Sequence, residues 1–278
     1  MNPEQRMTHW IVLVGVAALV TGTEARVGPS VQGGVSTLAD ALDQADLIVV
    51  AQVSREELIP PELNHDRPRR RRATVEIKVV LKGTADALFS IEYAPFEDFS
   101  RQGMIGVLFL KRQGQNRMSL LTAPEQYAIS HWPTDFSSTS TVTERVRDLF
   151  IEDLVNGNGL EKERALGYLR NLRDPTARPA IRKALAHVDA RLRIRGLALL
   201  AQLGDVEAVA EGVSIAEQLS KRVAHDGEPL YQEETAWIGS ALYDVRDPEA
   251  LPHLIRALRV DDVPLRKGAV YALREIRS

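Results

Sequence analysis

Four copies of one leucine-containing pattern occupy the C-terminal half of this chain. The repeated leucines are Leu169, Leu200, Leu242 and Leu273, separated by 31, 42 and 31 residues. The same spacing separates a second apolar set, Leu172, Leu203, Val245 and Ile276, and the acids Asp174, Asp205 and Asp247. A period of this size is typical of stacked supersecondary units, which commonly serve as binding surfaces rather than as chemical centres.

The composition is that of a packed protein with a modest net charge. Of the 278 residues 44% are hydrophobic and 26% are charged, which favours folded domains over disorder. A formal net charge of -3 argues against a general nucleic-acid or membrane-surface binder. The chain has no cysteine, which excludes disulfides, thiolate metal ligands, cysteine nucleophiles and bacterial lipid attachment at a cysteine.

The N-terminus has the pattern of a signal peptide. An apolar run at 10–20 follows Arg6 and leads to Thr23 and Ala25, small residues that suit a cleavage site. As a helix this run would reach about 17 Å, against a hydrocarbon core of about 30 Å. We therefore predict a signal peptide at 1–25, export to the periplasm or beyond, and no stable membrane span after cleavage. The alternative is an uncleaved N-terminal anchor.

Residues 36–130 have the pattern of a small β-domain. A short helix at 36–45 precedes apolar or alternating segments at 46–53, 75–81, 89–93, 105–110 and 117–121. Several short strands with little helix predict a barrel or a sandwich, with the first strand at its centre.

The order of helix, ADLIVVAQV, ATVEIKVVLKG and GVLFLK in this segment resembles netrin-type or tissue-inhibitor-of-metalloproteinase-like domains. This resemblance implies an OB-type barrel. It also implies inhibition of a protease through an N-terminal cysteine, which this chain lacks.

After a predicted linker at 131–143, residues 144–278 consist of helix pairs. The segment DPTARPAIRKAL at 174–185 matches DPEALPHLIRAL at 247–258, and each Asp-Pro marks a helix start. Pairs are predicted at 144–173, 174–204, 205–246 and 247–278. Two helices in about 30 residues, with Arg before the second apolar stripe, resemble HEAT repeats, especially the phycobilisome-lyase type. The resemblance implies an α-solenoid scaffold.

The third copy differs from the others in length and in charge. It is 11 residues longer. An apolar stripe at 206–216 predicts an extended first helix, and we predict that the excess lies in a loop around 225–232. Residues 161–195 contain ten Lys or Arg and four Asp or Glu, whereas 205–262 contain five and thirteen. Such a gradient can orient a polar partner, although an ordinary solvated surface gives the same counts.

Candidate partner-binding residues follow from the repeat register. Arg164, Arg195, Trp237 and Gly268 share one slot outside the repeated apolar positions, and Tyr243 lies further along the third copy. Trp and Arg are frequent interface anchors, so Arg164, Arg195, Trp237 and Tyr243 are predicted to bind a protein or peptide. The alternative is that Trp237 packs beneath the predicted long loop of the third copy.

A run of arginines supplies a second candidate site. Arg69, Arg70, Arg71 and Arg72 end the basic segment at 65–72. Their planar guanidinium groups suit an anionic glycan, a lipid head group or an acidic protein segment. The alternative is a charged hairpin tip that keeps the chain soluble.

The sequence offers no motif of a catalytic, metal or cofactor site. Walker, nucleophile-elbow, zinc-helix and EF-hand patterns are absent, and the six histidines are scattered. The leading hypothesis is thus an exported, non-catalytic scaffold without a cofactor. One alternative is an inhibitor or regulator of an envelope protease, acting through the β-domain. Another is a hydrolase without a recognisable motif.

Overall fold

The computed structural model describes residues 37–59, 70–85, 88–93, 102–112, 118–122, 127–133, 135–137, 139–226 and 232–277. The predicted signal segment at 1–25 and Arg69 lie outside these residues.

The N-terminal part forms one antiparallel sheet preceded by a short helix. The elements are α1 (Leu38–Gln44), β1 (Leu47–Ile59), β2 (Arg70–Lys82), β3 (Leu88–Tyr93), β4 (Ile105–Arg112) and β5 (Met118–Leu120). Within the described residues the sheet has five strands in the order β3-β2-β1-β4-β5, so β1 is central as predicted. The edge strands β3 and β5 approach each other, but no hydrogen-bonded ladder joins their described residues.

Both faces of β1 are buried, which explains its continuous apolar sequence. Ile48 and Val50 pack into a core shared with the helices. Leu47 and Val49 point to the opposite face and pack into a second cluster of sheet residues.

The first two strands extend further toward their connection than predicted. Arg70, Arg71 and Arg72 belong to β2 and pair with the end of β1, instead of forming a loop. Cross-strand ion pairs accompany this extension: Arg71 lies 3.1 Å from Glu56, and Arg72 lies 3.5 Å from Glu57. Opposite charges across a ladder stabilise strand pairing where apolar alternation is lacking.

The C-terminal part consists of helix pairs at the predicted places. The first helices are α2 (Val142–Asn156), α4 (Arg178–Ala184), α6 (Val206–Asp226) and α8 (Leu251–Ala257). The second helices are α3 (Gly159–Leu172), α5 (Ala190–Gln202), α7 (Gln232–Leu242) and α9 (Val263–Arg277). Among the repeated leucines, Leu169, Leu200 and Leu242 are buried and Leu273 is partly buried.

Side-chain caps fix several helix starts. Thr141 and Glu144 form a capping box at the start of α2, close to the predicted domain boundary. Asp174 and Asp247 cap short 3-10 turns at Pro175–Ala177 and Pro248–Ala250, and α4 and α8 continue from those turns. The Asp-Pro dipeptides therefore act as the start signals that their sequence predicts.

The extra residues of the third copy lie in α6, so the prediction of a longer loop was wrong. Helix α6 has 21 residues, whereas the corresponding segments 175–184 and 248–257 have ten each. Five residues separate the first from the second helix in each of these three copies. Buried Val209, Val213, Ala216 and Leu219 form a continuous stripe that stabilises the longer helix.

The sheet and the first helix pair share one hydrophobic core. The Phe109 and Tyr127 ring centroids are 5.3 Å apart, as are those of Tyr127 and Tyr168; those of Tyr168 and Phe150 are 5.0 Å apart. The Tyr168 hydroxyl donates to the Ala128 carbonyl oxygen at 3.2 Å, and burial raises its pKa to about 12. Through Tyr127, these contacts join β4 to α2 and α3.

The segment predicted as a linker, 131–143, lies against this shared core. Trp132, Phe136 and Val142 are partly buried and pack on it. Within its described residues, this segment is attached to both parts of the fold.

Candidate functional site

Trp237 in α7 lies between two arginines from neighbouring helices. The guanidinium carbon of Arg195 in α5 is 4.8 Å from the indole centroid, and that of Arg170 in α3 is 5.5 Å from it. Both distances suit cation–π attraction. Trp237 is partly buried against the second helical core. Three successive second helices therefore meet at this side chain, and their surface is here named the second-helix face.

Arg195 is engaged within the protein. Its guanidinium pairs with Glu163 of α3 and, at 3.3 Å, with Glu233 of α7, and its side chain is only 10% exposed. A guanidinium with two carboxylates and an indole has little capacity left for a partner's charge. Arg195 thus links α3, α5 and α7 and positions Trp237, instead of projecting as the predicted anchor.

Arg164 lies in a different environment from the other candidates. Its positive charge acts on the buried carboxylate of Asp153 and on Glu161, and its Nε is buried without an acceptor. Asp153 Oδ1 accepts hydrogen bonds from the backbone N–H groups of Ser130 and His131, both at 3.0 Å. Arg164 therefore faces the junction with the sheet, and Glu163 takes the position beside Arg195.

Tyr243 follows α7 and is 38% exposed. Its ring centroid is 5.0 Å from that of Tyr271 in α9, and the Arg246 guanidinium carbon is 5.7 Å from the Tyr271 centroid. Arg246 also donates hydrogen bonds to the carbonyl oxygens of Tyr243 and Val245. An aromatic and cationic surface is thereby held at the carboxyl end of α7.

Tyr243 borders a groove of about 720 Å³ at the carboxyl ends of α3, α5 and α7. We name it the arginine groove, and its polar lining includes Arg170, Arg173, Gln202, Ser240, Tyr243 and Arg246. Leu199, Leu203 and Pro175 supply apolar surface.

Equivalent positions of successive copies build this groove. Asn171, Gln202 and Asp244 share one slot of the repeat and all line it. Arg173 and Arg246 share another slot, and Arg170 and Tyr243 share a third. The sequence analysis predicted none of the groove arginines. The repeat register does show, however, that Arg173 and Arg246 occupy equivalent positions.

The three groove arginines differ from the other arginines of the helical part. Arg147, Arg182, Arg195 and Arg256 pair with carboxylates of neighbouring helices or turns. In the described chain no carboxylate oxygen lies within 4.0 Å of the guanidinium groups of Arg170, Arg173 or Arg246. Burial lowers the pKa of Arg170, Asp244 raises it, and the charge of Arg173 lowers it. Three arginines and one aspartate line the groove, so the side chains of its lining carry a net positive charge.

The predicted arginine run is placed apart from this groove. Arg71 is buried and its guanidinium contacts Glu56, whereas Arg72 is exposed and contacts Glu57. The backbone of Arg70 lies in β2, and Arg69 is outside the described residues. Anion binding by this run stays a prediction, and the ion pairs of Arg71 and Arg72 oppose it.

Neither a metal centre nor a membrane span is formed by the residues that the structure describes. No group of three or more His, Asp or Glu side chains in those segments is arranged to hold a metal ion. None of the helices described there has the length and hydrophobicity that crossing a bilayer requires.

Comparison with known protein families gives a match in the helical part. Residues 236–259, from within α7 to two residues beyond the end of α8, match the PBS lyase HEAT-like repeat. No curated protein and no solved structure matches the chain. The helical part thus contains a HEAT-like region, and repeats of this type are commonly protein-interaction scaffolds. The resemblance of residues 36–130 to netrin-type domains has no support from these comparisons.

Proposed function

We propose that this chain is an exported, non-catalytic scaffold that binds a protein or peptide on its second-helix face. In this proposal the helix pairs stack as a HEAT-like solenoid and the sheet closes as a small barrel. The observation that carries the proposal is the arginine groove, whose lining comes from equivalent positions of three consecutive copies.

The construction of the groove supports recognition of an extended partner. Groups that can donate or accept hydrogen bonds, such as Gln202 and Ser240, recur along it beside the exposed ring of Tyr243. Tyr and Arg are enriched among residues that dominate binding energies. The contacts of Arg195 and Trp237 join the same three helices, and Arg170 connects this cluster to the groove. A surface organised in advance loses less entropy on binding.

Export is supported by the apolar run at 10–20 and the small residues that follow it. Non-catalytic action is supported by the HEAT-like match, since such repeats generally supply surfaces and not reacting groups.

Site-specific photocrosslinking in the native cell tests this proposal. A photoreactive phenylalanine derivative would replace Ser240, which is exposed on the second-helix face, and in a matched control Lys183, which is exposed on α4. We expect a discrete protein adduct from position 240 and none from position 183. Equal adducts at both positions, or none at 240, would contradict the scaffold. A protein adduct from a photoreactive residue placed on the sheet, with none from position 240, would favour the protease-regulator alternative.

A further inference from the structure

The side chains of Arg170 and Arg173 are unusual because they line a groove without a direct ion pair, although the carboxylate of Asp244 lies in the same lining. Within the described segments neither makes a hydrogen bond to a neighbouring side chain or backbone group, although Arg170 lies over Trp237. Arg246 is different, since it donates hydrogen bonds to the carbonyl oxygens of Tyr243 and Val245 in the turn that follows α7. Two guanidinium groups are thus available to an incoming ligand.

Asp244 and the carboxyl ends of the helices together offset most of this charge but not all of it. A helix carries about half a negative elementary charge at its carboxyl end, and the groove lies at three such ends. This arrangement explains why cations are tolerated there. It leaves the donors of Arg170 and Arg173 unused, because dipoles of this kind do not supply the planar pair of acceptors that a guanidinium binds best.

We infer that the arginine groove binds an acidic peptide segment, with side-chain carboxylates of the partner paired to Arg170 and Arg173. This inference rests on the proposed scaffold function and specifies its partner. Carboxylates provide the bidentate acceptors that guanidinium groups select. The amide of Gln202 and the hydroxyl of Ser240 lie in the same groove and suit the polar groups of a peptide backbone.

The lining favours a peptide over a nucleic acid or another continuous polyanion. Asp244 lies within the groove and would repel an evenly charged phosphate chain, whereas a peptide can place an uncharged residue opposite it. Tyr243 presents a partly exposed ring that suits an apolar residue of the same segment.

Fluorescence anisotropy with the full chain tests the inference. The probe is a short labelled peptide of alternating glutamate and alanine, compared with glutamine–alanine and lysine–alanine peptides of equal length. We expect binding of the glutamate peptide alone, with affinity that falls as salt is raised. Arg173→Gln should weaken binding about tenfold, because one charge-assisted contact is removed. Arg259→Gln removes an exposed positive charge outside the groove and should change affinity by less than about twofold.

Arg170→Gln should also weaken binding about tenfold. Because Arg170 contacts Trp237, the unfolding midpoint of the Arg170→Gln variant is measured as well. If that midpoint falls, the inference is judged on the Arg173→Gln variant, since Arg173 is exposed. Equal binding of the glutamate and glutamine peptides would overturn the inference, as would equal losses in Arg173→Gln and Arg259→Gln. Tighter binding of an oligonucleotide of matched charge would also overturn it.

The two proposals fail in distinguishable ways. If position 240 crosslinks a partner while the glutamate peptide does not bind, the scaffold stands and the acidic specificity is wrong. If the glutamate peptide binds in an arginine-dependent way while position 240 captures no protein, the groove is an acidic-ligand site and the scaffold function is wrong.

Discussion

The carbonyl group of Gly239 in α7 occupies the space that a β-carbon on Gly268 in α9 would need. The two helix backbones are therefore in direct contact, and the contact depends on both residues lacking side chains. The two glycines lie on the buried side of the second helices.

Gly268→Ala should therefore force α7 and α9 apart and lower the free energy of unfolding by about 2 kcal/mol or more. Gly167→Ala is the matched control, since a β-carbon on this helical glycine of α3 has no neighbour within 4 Å. The control should stabilise the protein by up to about 1 kcal/mol, because alanine favours helix. Denaturant unfolding of both variants measures the contrast. Similar effects of the two substitutions would refute the close backbone contact.

Arg195 and Trp237 should be energetically coupled. A double-mutant cycle with Arg195→Gln and Trp237→Leu, followed by denaturant unfolding, should give a coupling free energy of about 1 kcal/mol. Arg191→Gln with Trp237→Leu is the control, since Arg191 shares Glu233 as an ion-pair partner and is 54% exposed. Its coupling to Trp237 should be close to zero. If the control cycle showed the larger coupling, the cation–π contact would not be the cause.

Asp153 should make stability depend on pH in an unusual direction. Burial raises its pKa above the ordinary 3.8, so the native state keeps this proton to higher pH than the unfolded state. The protonated carboxyl group therefore contributes its full stabilisation of the native state below pH 3.8. This contribution decreases as the pH rises through the native pKa.

The difference in unfolding free energy between wild type and Asp153→Asn should therefore decrease from about pH 3 to about pH 5.5, below the titration range of histidine. Asp261→Asn, whose side chain is 94% exposed, serves as the comparison because it lacks the burial that acts on Asp153. A difference that increases with pH would show that hydrogen bonds, not burial, dominate this carboxyl group.

The two Asp-Pro caps should differ in strength. Asp247→Ala removes one hydrogen bond, to the Glu249 N–H at 2.9 Å, and should cost about 1 kcal/mol. Asp174→Ala removes the equivalent bond to Thr176 and also the contact with Arg147 of α2 at 3.4 Å, so it should cost more. Thermal or denaturant unfolding ranks the two. A larger loss at Asp247 would mean that the link between α2 and the turn before α4 contributes nothing.

Features encoded by neighbouring residues could be predicted from the sequence. The helix starts at Asp174 and Asp247 depend on a side chain and the backbone two residues later. The strand period at 75–81 and the buried leucines of the repeat follow from alternation and helical spacing in the same way. These signals are local, so the helix pairs and the sheet could be predicted without knowledge of tertiary contacts.

Features that depend on tertiary contacts were not predictable from this sequence. Arg195 was expected to project toward a partner, yet Glu163 and Glu233 reach it from the helices on either side. The residues at 131–143 have no apolar period, yet Trp132 and Phe136 lie on a core formed by distant elements. In both cases the deciding neighbours are remote in sequence, and spacing within one segment carries no information about them.

Helix α6 contains all of the extra residues of the third copy. The length of this helix therefore sets the direction in which the chain leaves it, as well as the distance that it spans. Each residue turns an α-helix by about 100°, so an insertion of about eleven residues completes three turns with about 20° left over. An insertion of about five residues would instead rotate everything downstream by about 140° and carry α7 away from α5. Natural variants of this helix should therefore differ by about seven, eleven or eighteen residues, each close to a whole number of turns.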